Sequence, residues 1–388
     1  MNLLLYTWFN SYTDDDIDRN LRNAGVSVRR VIDVTAASGD RYDNDAFSAK
    51  FEKLLAEGSF DCVMTTNVFP LIARGCHKAG IPYIAWSYDS PPNLSSLKDL
   101  DYPTNYIFFF SKDDVQSYRD QGLTNVYHMP LAVDTSKWDA IKPASEQMQV
   151  SLVGSLYHST LPMLMSFMSD EQKEFFKKLS DIQFNTRDRY LLPEFITDGI
   201  ADEICRTFAA GGKTDLRPSR KQLIYSAASY VTHIDRLLLL KLLSDKTEVD
   251  LYTADNEKEV RELLPSVKYH APVSYAEGMP AVFKASKVNL CPVFRGNVSG
   301  IPLRILDVCG CGSLVMSSFC PELAESFEED KEIVMYRSVG EAIEKTLFYI
   351  THDEIRARIA QAGYVKVKER FTYSDRLQKM FETAGLMT

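Results

Sequence analysis

The stretch "KVNLCPVFRGNVSGIPLRILDVCGCGSLVMSS", Lys287–Ser318, carries most of the information about the fold. A strand-like apolar run ends at Pro292. A loop with Arg295, Gly296, Ser299 and Gly300 follows. A helix over about Ile301–Gly310 then leads into a second strand. Strand, glycine loop, helix and strand in that order make one βα unit of a parallel sheet. Proline at a first helical position and free N–H groups at the helix start suit an anion, and Arg295 and Arg304 add positive charge. Asp307 follows Arg304 by three residues, so the two share a helix face. A buried intrahelical ion pair and a carboxylate reserved for a ribose diol both fit that spacing.

The same alternation extends on both sides. From Asn2 to about Val133, apolar strands alternate with amphipathic segments that close on glycines such as Gly25, Gly58 and Gly80. A polar stretch follows, and a strand restarts at "VSLVGSLYHS", Val150–Ser159. The alternation resumes after a mainly helical region and ends in two helices. These signals predict an α/β protein with an N-terminal Rossmann-like domain over 1–135 and a linker over 136–149. A second Rossmann-like domain spans 150–365, with a helical insertion at about 160–245. A last helix within 366–388 has the option of packing back on the first domain. Two doubly wound parallel sheets facing across a cleft would bind a ligand at the strands' carboxyl edges.

Composition narrows the function. The chain has 388 residues, 45% hydrophobic and 25% charged, with a formal net charge of −9. That balance reads as globular and argues against nucleic acid as a partner, which needs a basic face. No apolar run reaches bilayer length, and the start lacks a basic leader, so the expectation is a cytoplasmic protein with no membrane span. Seven cysteines without a CxxC pair read as reduced thiols, and six histidines without HxxxH or HExxH argue against a metal site.

Several positions stand out by role. Gly154 in "VGS" leaves room for sugar or phosphate, or is an ordinary turn. His233 and Arg236 lie one turn apart on a helix. Tyr252 reads as a strand residue near the site. In the first domain, "TWFNSYTDDD" and "WSYDSPPN" follow strands and open at the carboxyl edge. Asp89 there is the candidate general base or, equally, an Asx-turn acid, and Trp8 is a further candidate. Asp14–Asp16 read as a helix N-terminal acid cluster.

The Lys287–Ser318 stretch resembles the donor-sugar site of GT-B glycosyltransferases related to the group 1 family. These carry two acids separated by seven residues, then A-x-G. Asp307 matches the second acid, "CGCG" stands for A-x-G, and Ser299 occupies the first acid's place. A closer resemblance runs along nearly the whole chain to CgeB-like glycosyltransferases of the spore-maturation type. It rests on "GIPLRILDVCGCG" with the "PELAESFEEDKEIVMY" run after it, "WSYDSPPN", "VYHMPLAVD" and "VSLVGSLYHS". The resemblance implies transfer of a sugar from a nucleotide-diphosphate sugar, UDP-sugar favoured, to a protein or glycan hydroxyl. It implies no cofactor and no metal. Donor contacts would fall on Gly154, His270, Ala271, Val273, Arg295, Ser299, Gly300, Arg304 and Asp307, the "VKYHAPV" segment holding the base through its backbone. The alternatives are a nucleotide-sugar 2-epimerase-like enzyme and a catalytically inactive nucleotide-sugar-binding module.

Overall fold

The computed structural model describes residues 1–8, 11–33, 40, 42–92 and 94–387. The chain divides into two units. The first comprises Met1–Lys137, Ser299–Gly310 and Val365–Thr388; the second comprises Trp138–Val298 and Cys311–Tyr364.

In the first unit, β1 (Asn2–Thr7), β2 (Ser27–Ile32), β3 (Cys62–Thr66), β4 (Tyr83–Trp86), β5 (Asn105–Phe109) and β6 (Val126–His128) form one six-stranded sheet. Its order is β2-β1-β3-β4-β5-β6, and every pairing is parallel. Helices α1 (Tyr12–Asn23), α2 (Asp45–Glu57), α3 (Pro70–Ala79) and α4 (Lys112–Asp120) connect the strands. Leu3, Leu4 and Leu5 are all fully buried, so β1 is covered on both faces, as a parallel sheet between helix layers requires. Ser11 caps α1 through a capping box with Asp14, and Gly80 closes α3 in the left-handed conformation.

The polar stretch after β6 contains a short helix, α5 (Thr135–Asp139), and β7 (Met148–Val153) begins within it. A helical segment follows: α6 (Leu161–Met165), α7 (Asp170–Asn185), α8 (Leu192–Phe195), α9 (Asp198–Ala210) and α10 (Arg220–Ser244). These helices bury their own apolar cluster, including Phe176, Ile204, Phe208 and Leu223. The alternation resumes with β8 (Val249–Tyr252), α11 (Glu257–Leu263), β9 (Lys268–His270), α12 (Gly278–Ala285), β10 (Ser286–Cys291), α13 (Leu303–Gly310) and β11 (Val315–Ser318). It ends in α14 (Pro321–Ser326), β12 (Val334–Tyr336), α15 (Val339–Thr351), α16 (Asp353–Arg370) and α17 (Tyr373–Thr383). The second sheet is again parallel and six-stranded, ordered β12-β11-β10-β7-β8-β9.

Each sheet has a point where strand order reverses. In the first it lies between β1 and β3, and in the second between β7 and β10. Loops leaving neighbouring strands on opposite sides open a crevice there, the usual ligand position in open α/β sheets. The loops after β1, β3, β7 and β10 therefore define where to look.

Candidate functional site

In the first unit, the loop after β3 is organised by Asn67. Its backbone is left-handed, at φ 65°, a conformation asparagine tolerates better than most residues. From there its side-chain oxygen accepts the Tyr88 N–H at 2.9 Å and the Ser87 hydroxyl at 3.4 Å. Its amide nitrogen donates to Asp89 Oδ2 at 3.1 Å. The Ser87 hydroxyl also donates to the Asp89 carbonyl at 3.2 Å. Asp89 is thus an exposed carboxylate on a tightly held loop just past β4. The Asn67 hydrogen bond restrains one of its two oxygens.

Helix α13 belongs to this same unit. Asp307 is buried, and Arg304 approaches its carboxylate at 3.6 Å. Tyr12, the first residue of α1, feels both members of the pair as well as Asp89. Tyr12 is 49% exposed, and its phenol pKa is raised, first by partial desolvation and then by Asp307 and Asp89, while Arg304 pulls the other way. Tyr12 therefore lies within electrostatic reach of Asp89, Arg304 and Asp307. Ser299 and Gly300 also pack here. The Ser299 hydroxyl accepts the Asp113 N–H at 3.3 Å and lies 3.1 Å from the Ser111 hydroxyl. A Cβ on Gly300 would come within 2.9 Å of the Phe110 carbonyl oxygen, so a bare backbone is required for this approach.

Two other first-unit candidates take structural places. Trp8 is 2% exposed and stacks on Phe69 at 4.6 Å within the core. Phe9, Asn10 and Asn93 of the two singled-out loops lie outside the described residues. Asp14 serves the start of α1 and accepts the Thr66 hydroxyl at 2.8 Å. Burial outweighs those contacts and raises its pKa to about 6. Asp16 pairs with Arg19 at 2.8 Å and with Lys137 at 2.5 Å.

In the second unit, Arg236 organises the crevice between β7 and β10. It is 8% exposed. One terminal nitrogen donates to the Ser155 carbonyl, and the other donates to the Pro292 carbonyl at 2.6 Å. A single guanidinium thus ties the loop after β7 to the loop after β10. Gly154 sits directly above it. At φ 156° its backbone is glycine's own, and a Cβ would lie 3.5 Å from the Arg236 nitrogen. His233, one turn earlier on α10, places Nδ1 2.9 Å from the Leu156 carbonyl. Asp255 holds the same loop from the other side, accepting the Leu156 N–H at 2.6 Å and the Ser155 hydroxyl at 3.1 Å.

Arg295 points into the interior rather than along the loop. It donates to the Phe184 carbonyl at 2.7 Å and lies 3.9 Å from Asp235. Asp235 is gripped by Arg187 through two hydrogen bonds, at 3.0 and 2.5 Å. Three guanidiniums, of Arg187, Arg236 and Arg295, therefore surround one buried carboxylate. Burial and the neighbouring Arg187 lower the Arg295 pKa to about 10. Tyr336, at the end of β12, is fully buried among these charges.

The base-segment candidates lie at and just after the end of β9. His270 closes β9 with Nε2 2.7 Å from Asp250 Oδ1, and its ring stacks on Tyr252 at 4.3 Å. Ala271 is exposed, and Val273 is half-buried against Gly278. Tyr12, Asn67, Arg187, Asp235 and Tyr336 escaped the sequence reading. Their roles come from a backbone angle or from partners distant in sequence, and no short motif marks either.

Comparison with known proteins follows this geometry. A family model described as "Glycosyl transferase-like" matches residues 234–382, a span that includes α13. No curated protein gives a significant match. Among solved structures, the chain is similar to a glycosyltransferase from Rickettsia africae, with 10% identity over 99% of this chain and 97% of that one, at a TM-score of 0.59. It is similar to Anabaena HepE in complex with UDP, with 11% identity over 99% and 100% of the two chains, at 0.57. Sucrose-phosphate synthase from Thermosynechococcus elongatus matches at 9% identity over 98% of each chain, also at 0.57. The fold is accordingly the α/β fold of GT-B glycosyltransferases, with two Rossmann-like parallel sheets. Among the described residues, no helix is long and apolar enough to cross a membrane.

Proposed function

We propose that this protein is a glycosyltransferase of the CgeB-like type, moving a sugar from a nucleotide-diphosphate sugar to a hydroxyl of a protein or glycan. The observation that carries the reading is the Arg304–Asp307 pair on α13, in the same unit as Tyr12 and Asp89. Three of these come from stretches that carry the sequence resemblance, and α13 lies inside the matched span. Neighbours of the same fold were crystallised with UDP and with UDP-glucose, which favours a uridine donor.

In this reading Arg304 meets diphosphate charge and Asp307 accepts from the ribose hydroxyls. The acceptor oxygen bonds to the anomeric carbon as the bond from that carbon to the diphosphate oxygen breaks. The electron pair leaves with the diphosphate. Asp89, its carboxylate oriented by Asn67, takes the acceptor proton. If stereochemistry is retained, the leaving phosphate takes that proton instead and Asp89 orients the acceptor.

The test is transfer from labelled nucleotide sugars by wild type and Asp89→Asn. The variant is expected to keep donor affinity and lose turnover by about 10²–10⁴-fold, the usual worth of a positioned base. Full turnover in the variant moves the base elsewhere. Donor binding by wild type without transfer or hydrolysis of any nucleotide sugar makes the chain a binding module and ends the enzyme reading.

A further inference from the structure

Tyr157, beside the second sheet's crossover point, is a large aromatic residue with a strained backbone. It follows the Gly154 turn, and its backbone is left-handed at φ 58°. A bulky aromatic residue is sterically disfavoured in that region and persists only where its surroundings over-determine it. Here they do. The Tyr157 N–H donates to the Ser155 hydroxyl at 2.9 Å. The Arg236 guanidinium lies over the ring at 4.6 Å, and Phe294 stacks on it at 4.9 Å with 14° between planes. Tyr225 continues the ladder against Phe294 at 5.5 Å. Both neighbours of the ring come from elements that flank the crevice, α10 and the loop after β10.

This clamp spends its contacts on the backbone and the ring. Among the described residues, none partners the Tyr157 hydroxyl, and that hydroxyl is not sealed from solvent. A strained ring held between a cation and an aromatic, with its one polar atom left for solvent, is placed to present that atom. The charge around it selects the ligand: the guanidiniums of Arg187, Arg236 and Arg295 outnumber the carboxylates of Asp235 and Asp255, so the field at this crevice favours an anion. We infer that the Tyr157 hydroxyl is a donor-binding group, giving its hydrogen bond to a phosphate oxygen of the nucleotide-diphosphate sugar. The inference rests on the glycosyltransferase reading and adds to it a residue and the chemical group it recognises.

Tyr157→Phe tests it, because the change removes the hydroxyl and leaves the ladder and backbone intact. Calorimetry would compare UDP, ADP and GDP with their nucleosides, and inorganic pyrophosphate as a bare anion. For whichever nucleotide wild type binds, the variant should bind the diphosphate roughly 10- to 100-fold more weakly, the worth of a hydrogen bond to a charged group. Nucleoside affinity and the thermal midpoint should stay at wild-type values, which a merely structural tyrosine would also show. The diphosphate-to-nucleoside ratio separates the two roles: an unchanged ratio in Tyr157→Phe overturns the inference while leaving the enzyme reading standing. A wild type that binds none of these ligands, nor any nucleotide sugar, overturns both. Arg236→Lys provides a second measurement. It loosens the clamp without touching the hydroxyl, and should lower diphosphate affinity less than Tyr157→Phe does. The reverse order places the anion on Arg236 and also overturns the inference.

Discussion

Asp235 and Arg187 form one buried ion pair, yet removing either partner should have unequal consequences. Asp235→Asn takes the carboxylate from among three guanidiniums, with Arg187 at 2.5 Å and Arg295 at 3.9 Å. Breaking such a pair from one side costs about 3–5 kcal/mol, because the remaining charge stays buried without its counterion. For a unit of this size each kcal/mol moves the midpoint by about 2–4 °C, so the variant should melt roughly 6–20 °C lower. Arg187→Met breaks the same pair. Here Asp235 keeps Arg295 nearby, and Arg295 loses the neighbour that helps push its pKa down to about 10. The cost should therefore be smaller, about 1–3 kcal/mol, the range of an ordinary destabilising substitution. Thermal unfolding of both variants at neutral pH gives the comparison. If Arg187→Met melts at or below Asp235→Asn, positive charge is not in excess in this cluster. The argument for an anion at the second crevice would fall with it.

Two further outcomes follow from the first unit. Arg304→Ala should weaken binding of a nucleoside diphosphate by about 1.5–3 kcal/mol and hardly affect the nucleoside. Equal losses for both ligands in calorimetry would reduce Arg304 to a structural partner of Asp307. Asp14 has a folded pKa of about 6, above the ordinary aspartate value of 3.8, so its contribution is fully present below pH 3.8 and is lost as pH rises through 6. Asp14→Asn should therefore gain stability over wild type at pH 7, by an amount on the order of 2–3 kcal/mol, and the gain should vanish near pH 4. A wild-type-to-variant difference in midpoint that is the same at both pH values contradicts the raised pKa.

Local signals made most of the fold legible. Continuous apolar runs such as Leu3–Leu5, and glycines at helix ends such as Gly80, report on neighbours a few residues away. The exceptions have weak local signals. β12 is three residues long, and α5 lies in a stretch whose polar composition hides it. The candidate site was legible only where one segment carries several of its proposed parts, as with Arg304 and Asp307. Sequence order gave no sign that α13 groups with the first unit, because that grouping depends on contacts such as Ser299 with Ser111, 188 positions away. Arg295 illustrates the same limit: an arginine in a glycine loop suggests a phosphate ligand, yet its nearest carboxylate, Asp235, lies on α10. Nor can the sequence show a left-handed Asn67, since asparagine adopts both signs of φ.

The assembly of the first unit from three separate segments has a consequence for synthesis. Its six strands lie before residue 138, but α17 buries Leu377, Met380 and Phe381 in this unit, and the Val133 N–H bonds the Phe371 carbonyl at 2.9 Å. A ribosome must therefore make the entire second unit before it releases the residues that finish the first. At common elongation rates that interval lasts roughly 10–50 s, during which the early strands and helices wait with part of their apolar surface uncovered. Order of translation and order of completion are thus inverted. The strands made earlier are completed later, and their dependence on chaperones should be set by that waiting time more than by their own stability.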